Sequence, residues 1–140
     1  MSRVSSKFRQ KVIERAKGFC EYCQSDSAFS QDPFDIEHIL PISEGGKTES
    51  ENLALACHGC NVYKSNKTVG YDDLSEENAR LFNPRTDVWK EHFAWSKDFT
   101  VIVGLTAIAR VTIAELKMNR LGLRNQRAVF YFTGNHPPVF

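Results

Sequence analysis

The four cysteines of this 140-residue sequence form two Cys-x-x-Cys pairs, Cys20/Cys23 and Cys57/Cys60. A two-residue gap lets both sulfurs of a pair turn toward one ion, and two such pairs fill the four positions of a tetrahedral zinc site. We therefore predict a structural Zn²⁺ that closes the loop of residues 24–56 and holds its two ends together. Because sulfur would fill every position, this zinc would leave none for water, and any catalysis would lie elsewhere.

Disulfide bonds are the competing interpretation of these cysteines. Residues 1–20 carry positive charge but no apolar run like that of a secretory signal, so we expect a cytoplasmic location, where thiols stay reduced. A thioredoxin-like redox pair would need only one Cys-x-x-Cys. No stretch approaches the roughly 20 apolar residues that span a bilayer, so we expect no membrane partner.

A second set of residues, inside and just after the loop, could support proton transfer and bind a divalent ion. His38 is a candidate general base, because neutral imidazole accepts a proton well near pH 7. Glu37 and Asn61 offer hard oxygen ligands, which favour Mg²⁺ or Mn²⁺ over softer ions. Neighbouring strand residues point to opposite faces, so Glu37 and His38 can serve one site only if the strand twists or ends there.

Residues 18–68 resemble the HNH endonuclease family. The resemblance rests on five short motifs that occur in the family's order. They are an acid–histidine pair (Glu37-His38), a hydrophobic stretch ending in proline (Ile39 to Pro41), a glycine pair (Gly45-Gly46), Asn52-Leu53, and Cys-x-x-Cys-Asn-x-x-Lys at residues 57–64. The family has a ββα-metal (His-Me finger) fold around one divalent ion. The resemblance implies a metal-dependent endonuclease that cuts DNA and leaves 5′-phosphate and 3′-hydroxyl ends.

The resemblance assigns roles to four residues. His38 matches the first His of the motif, Asn52 the central Asn and Asn61 the final His, so this sequence has a His-Asn-Asn set similar to that of RNA-guided CRISPR effectors. Glu37 stands where Asp is commoner. His38 would activate water, Glu37 and Asn61 would bind the catalytic ion, and Asn52 would hydrogen-bond the loop backbone so that His38 faces the phosphate.

Basic residues are candidates for contact with nucleic acid. The net charge of +1 divides into +5 for residues 1–18, −8 for 19–84 and +4 for 85–140. Two basic segments flanking an acidic centre could suit a polyanion held over a metal site, or form an ordinary solvated surface. The predicted DNA contacts are Lys11 and Arg15 on the first helix, and Lys64 and Lys67 after the second cysteine pair.

Hydrophobic periodicity predicts the elements that position these residues. We expect an amphipathic helix over 5–18, strands over 34–40 and 52–56, and a helix starting near Asn61. Beyond these we expect a short helix over 75–81, a β-hairpin around residues 96–98, a helix capped by Thr106 and running to about 118, and another within 120–131. In the first strand, alternation predicts one face formed by Phe34, Ile36, His38 and Leu40.

The predicted fold class is α+β, a zinc-clipped ββα-metal core with a carboxy-terminal β-hairpin and helices. Residues 1–68 would form the basic helix and nuclease core, and residues 69–140 an extension packed on the same domain. A homodimer is a further candidate partner, because one active site cuts one strand. Two alternatives stay open: a non-catalytic zinc-stabilised nucleic-acid-binding module, and an interaction component of a defence or mobile-element system.

Overall fold

A computed structural model describes residues 4–140 and shows a mixed α+β chain, as the sequence predicts. The chain divides into two compact units. The first contains the residues up to Thr68 together with Asn83–Thr86, and the second contains Val69–Phe82 and Asp87–Phe140. Within the described residues, none of the helices combines the length and hydrophobicity that a bilayer crossing requires.

The first unit opens with helix α1 (Ser6–Ala16), which confirms the predicted amphipathic helix. Ser5 caps it, since its side chain accepts a hydrogen bond from the amide of Phe8 at 3.2 Å. The helix ends at Lys17, whose left-handed backbone (φ 56°) directs its amide to the last carbonyls of the helix. Val12 is fully buried, so this face of α1 anchors it to the unit.

Strands β1 (Asp35–His38) and β2 (Leu53–Ala56) pair antiparallel, with Glu37 opposite Ala54 and His38 opposite Leu53. Helix α2 (His58–Lys64) follows directly and completes a ββα unit. All four residues of β2 are buried, so this strand is the core of the unit. Of the second Cys-x-x-Cys pair, Cys57 directly follows β2 and caps α2, and Cys60 lies in the first turn of α2.

The first strand is shorter than predicted. The sequence places residues 34–40 in a strand, but β1 ends at His38 and Leu40 is 43% exposed. Strand pairing stops there because the side chain of Asn52 accepts the amide of Leu40 at 2.8 Å, and the chain then turns at Pro41. Helix α2 also begins three residues before Asn61, with Cys57 as its cap.

The second unit contains a hairpin where a short helix was expected over residues 75–81. Strand β3 (Val69–Asp72) pairs antiparallel with β4 (Glu77–Arg80). Asp72 closes the turn, because its carboxylate accepts the amide of Ser75 at 3.0 Å and its carbonyl accepts the amide of Glu76 at 2.8 Å. These tertiary and turn contacts override the helical propensity of the segment.

The rest of the second unit follows the prediction more closely. A short helix α3 (Trp89–His92), not predicted from the sequence, leads into strand β5 (Phe93–Trp95). The predicted hairpin around residues 96–98 is confirmed, because β5 pairs with β6 (Ile102–Gly104). Helices α4 (Ala107–Leu116), capped by Thr106, and α5 (Leu121–Phe132) confirm the last two predicted helices.

Candidate functional site

The sulfurs of Cys20, Cys23, Cys57 and Cys60 converge in the first unit. One ligand atom from each lies within 4.8 Å of all the others, and the four residues are buried. A tetrahedral site with Zn–S bonds of about 2.3 Å separates its sulfurs by about 3.8 Å. Since the sulfurs of Cys23 and Cys57 are 3.7 Å apart and no cysteine forms a disulfide, the cluster fits one zinc ion.

The thiols of the cluster differ in their pKa. Hydrogen bonds from the other cysteine thiols, that of Cys20 first, hold the pKa of Cys57 far below its usual range, whereas burial raises the pKa of Cys20. Zinc binds thiolates, so metal binding would release the protons that the cluster still holds. Outside the sulfurs, Glu21 ties the first cysteine pair to β2, because its carboxylate accepts the amide of Leu55 at 2.8 Å. The predicted zinc clip thus has both the ligands and the supporting contacts it needs.

His38 lies at the end of β1 and is half-buried. Its Nε2 is 2.9 Å from the hydroxyl of Thr48. Burial, and to a smaller extent the nearby ammonium of Lys64, lower the pKa of His38 below its ordinary value. The imidazole is therefore neutral at physiological pH, the form in which it accepts a proton.

Asn52 holds the loop between His38 and β2. Its amide nitrogen donates to the carbonyls of Leu40 at 3.0 Å and Lys47 at 2.9 Å, and its oxygen accepts the Leu40 amide. Gly46 is enclosed in the same place: a Cβ there would lie 1.8 Å from the Leu40 carbonyl oxygen and 2.9 Å from the Asn52 amide. Only glycine allows this approach, which explains one member of the Gly pair.

Glu37 points to the opposite side of β1, into the protein. Its side chain is 3% exposed, and Oε1 lies 2.7 Å from the ammonium of Lys64 and 3.0 Å from the hydroxyl of Tyr22. Burial raises the pKa of Glu37, while the Lys64 ammonium and the Tyr22 hydroxyl act against that rise. The other oxygen, Oε2, is buried and has no hydrogen-bond partner. An orphaned buried carboxylate oxygen is one that a cation could satisfy.

Asn61 faces a different acid. Its amide nitrogen donates to Asp35 Oδ2 at 3.0 Å, and the same oxygen lies 2.9 Å from Nδ1 of the exposed His58. Asp35 and Glu37 share one face of β1, while Asn61 and Lys64 lie one helical turn apart on α2. Two polar pairs, Asp35–Asn61 and Glu37–Lys64, therefore link the strand to the helix.

The four residues predicted to contact DNA have different surroundings. Lys64 is buried; its ammonium lies 2.7 Å from Glu37 Oε1 and donates to the carbonyls of Ile39 at 2.9 Å and His38 at 3.4 Å. These contacts do not favour the predicted phosphate contact at Lys64. Arg15 donates to Ser50 and to the Leu53 carbonyl and so braces β2. Lys11 and Lys67 both lie at exposed positions.

Comparison with known proteins identifies the segment that carries these residues. Residues 20–67 match the family model described as HNH endonuclease. The resemblance drawn from the sequence is therefore confirmed for about a third of the chain, and it indicates nuclease-type function. Searches of curated proteins and of solved structures returned no match.

The HNH segment contains three site residues to which sequence reasoning gave no role. They are Tyr22, Asp35 and Thr48, whose side chains contact Glu37, Asn61 and His38 respectively. The spacing of Asp35 and Glu37 on one strand face was the available signal for the first polar pair. No sequence signal distinguishes a buried tyrosine that only packs from one whose hydroxyl bonds a carboxylate.

Proposed function

We propose that the HNH segment hydrolyses phosphodiester bonds in DNA, with His38 as the general base. The observation that carries this proposal is the environment of the His38 imidazole, which is half-buried, held at Nε2 by Thr48 and kept neutral by burial. In the reaction, His38 takes a proton from a water molecule whose oxygen bonds to the phosphorus, the bond from phosphorus to the 3′ oxygen breaks, and the leaving 3′ oxygen takes up a proton from solvent. The products carry 5′-phosphate and 3′-hydroxyl ends.

The residues near His38 fit one hard divalent ion, Mg²⁺ or Mn²⁺. The fit rests on Glu37, whose Oε2 is buried and unpartnered while Oε1 is held by two donors. Metal-binding carboxylates commonly have their other oxygen hydrogen-bonded in this manner. Asn61 would add an amide oxygen, since only its nitrogen is engaged by Asp35. When bound, the ion stabilises negative charge on the phosphate and on the leaving oxygen.

Asn52 acts on His38 through the loop. It bonds the backbone at Leu40 and Lys47, on both sides of the turn, and so sets the position of the chain next to the imidazole. Lys11 and Lys67 remain the proposed phosphate contacts, because both are exposed. A single site nicks one strand, and a symmetric homodimer would cut both.

A non-catalytic, zinc-stabilised nucleic-acid-binding or interaction module is the second candidate. Glu37 is paired with a buried ammonium and Asn61 faces Asp35, so the two proposed ligands are held by different partners. Within the described residues, moreover, only the cysteines bring three or more Cys, His, Asp or Glu ligands together. Both observations favour a site with no catalytic ion.

Plasmid cleavage separates the two candidates. Supercoiled plasmid is incubated with the zinc-loaded protein in Mg²⁺, in Mn²⁺ and in EDTA, and the ends are labelled to test for 5′-phosphate and 3′-hydroxyl. The nuclease proposal expects nicked circles in either metal and none in EDTA. Retarded but uncut plasmid in all three conditions would instead support the binding module.

A further inference from the structure

Tyr22 lies inside the first zinc knuckle, between Cys20 and Cys23, and is fully buried. Its side chain extends from the cysteine knuckle to Glu37, the proposed catalytic metal ligand. The Tyr22 hydroxyl lies 3.0 Å from Glu37 Oε1. The backbone on either side of it is held by cysteines of the cluster, and the neighbouring Glu21 amide donates to the Leu55 carbonyl at 2.9 Å. The position of this hydroxyl is therefore set by the zinc knuckle.

The two oxygens of the Glu37 carboxylate are treated differently by the protein. Oε1 receives the Tyr22 hydroxyl and the Lys64 ammonium, whereas Oε2 receives nothing. A carboxylate rotates about its last side-chain bond with little preference between its two orientations. Two donors on one oxygen remove that freedom and leave the other oxygen for a different partner.

The two donors are not equivalent. Lys64 also donates to the carbonyls of Ile39 and His38, so its ammonium is shared among several acceptors. Tyr22 has one hydroxyl proton and a rigid ring, and it directs that proton at Glu37. Of the two, the tyrosine is the donor that lies within the cysteine knuckle, between two residues that would hold the zinc.

We propose that Tyr22 is a positioning residue that transmits the geometry of the zinc knuckle to Glu37, fixing Oε2 as the oxygen that meets the divalent ion. This inference rests on the proposed function, since it assumes that Glu37 is a metal ligand. The zinc site would then affect catalysis as well as folding, because the affinity for the catalytic ion would depend on the hydrogen bond from Tyr22 to Glu37. Outer partners of metal ligands typically change metal affinity by about 10–100-fold when they are removed.

The test measures Mn²⁺ binding by the electron paramagnetic resonance signal of the free ion, on the zinc-loaded full chain. Tyr22→Phe keeps the ring and removes the hydroxyl, and Tyr71→Phe makes the same change at a residue that is 57% exposed in the second unit. We expect Tyr22→Phe to weaken Mn²⁺ binding by about 10-fold or more, with zinc content and Tm close to those of the wild type. Tyr71→Phe should change nothing. Unchanged Mn²⁺ affinity in a zinc-loaded, folded Tyr22→Phe protein would overturn the proposal.

A second measurement covers the case in which Tyr22→Phe does not fold. The four tyrosines are replaced by 3-fluorotyrosine in the wild type, and the Tyr22 fluorine resonance is assigned by elimination with Phe variants of the other three, Tyr63, Tyr71 and Tyr131. Mg²⁺ should shift this resonance in a saturable manner. A resonance that stays fixed while Mg²⁺ binds would contradict the role of Tyr22.

Glu37→Gln separates this inference from the proposed function. If the wild type binds one Mn²⁺ and Glu37→Gln loses it, the metal site stands, and the Tyr22 result decides the positioning role alone. If the wild type binds no Mn²⁺, or Glu37→Gln binds it equally well, the proposed metal site is wrong and Tyr22 has no catalytic ligand to position.

Discussion

The cysteine cluster and the histidine site lie in the same ββα unit, yet their side chains are arranged in contrasting ways. The four sulfurs face one another across less than 4.8 Å. The predicted catalytic groups face other parts of the protein instead: Glu37 meets Lys64, Asn61 meets Asp35 and His38 meets Thr48. The cluster offers four ligand atoms to one ion, whereas under the proposed function an ion and a phosphate would complete the histidine site.

The difference is the one expected if the cluster holds a structural zinc and the histidine site is catalytic, as we propose. A structural zinc must contribute to folding, so its ligands converge in the folded chain. A catalytic site must keep positions open for water and substrate, so its groups are held by surrounding partners rather than by one another. Four predictions test this contrast, beginning with the largest expected effect.

Removing one zinc ligand should have the largest effect on folding. Cys60→Ser should lose stoichiometric zinc and unfold the first unit, because structural zinc contributes roughly 10–16 kcal/mol in small domains. The measurement is zinc content by mass spectrometry with thermal unfolding followed by circular dichroism. His58→Ala is the control, since this knuckle residue is 78% exposed and should keep its zinc. A Cys60→Ser protein as stable as the wild type would show that the cluster is not structural.

Breaking the buried ion pair should cost less than losing zinc. Lys64→Met leaves the Glu37 carboxylate buried without its cation and should lower the free energy of unfolding by about 3–5 kcal/mol. Urea denaturation measures this change. Lys67→Met, at an exposed position on the same segment, should lower it by less than about 0.5 kcal/mol. Equal effects of the two substitutions would mean that Lys64 is solvent-exposed in solution, as a phosphate contact would be.

Loss of the loop anchor should have a smaller effect on stability and a clear one on activity. Asn52→Ala removes three hydrogen bonds to the backbone and should lower the free energy of unfolding by about 1–3 kcal/mol. We also expect the plasmid nicking rate to fall while zinc content stays at that of the wild type, because His38 loses its fixed position. If Asn52→Ala nicks plasmid at the wild-type rate, Asn52 has no role in positioning His38.

The smallest expected effect is on the pH dependence of the nicking rate, whose midpoint should shift to lower pH with the pKa of His38. The pKa of His38 is lowered by burial and by Lys64, so the neutral imidazole predominates above a pKa that lies below the ordinary 6.5. The nicking rate at saturating Mg²⁺ should therefore rise with pH and reach half its plateau below pH 6.5. A half-maximum well above that value would contradict a neutral, partly desolvated His38.

Much of this arrangement is local and could be predicted from the sequence. Ser5 and Thr106 cap helices through contacts three residues away, and the cysteine spacing by itself specifies a tetrahedral set. The motif around His38 also predicts the ββα order, and Asn52 makes the loop contacts that the resemblance implies.

The parts that could not be predicted depend on partners distant in sequence. From the sequence alone, Lys64 is consistent with a phosphate contact, because it follows Asn61 by three residues. Its acceptors, Glu37 and Ile39, lie about 25 residues earlier and are found only in the folded chain. The hairpin formed by β3 and β4 contains Asp72, whose carboxylate accepts a hydrogen bond from Arg110 at 2.9 Å, 38 residues later, which residue propensities do not register. Burial of charge and this ion pair are both tertiary properties.

The most direct test of the central claim is a plasmid time course with His38→Ala in Mg²⁺. General-base catalysis contributes about 10²–10⁴-fold to a rate, so the variant should nick supercoiled plasmid slower by that factor while zinc content and Tm match the wild type. His92→Ala, a histidine that contacts Thr106 in the second unit, is the matched control and should nick at the wild-type rate. Equal nicking by His38→Ala and the wild type, or no nicking by either, would contradict the proposed role of His38.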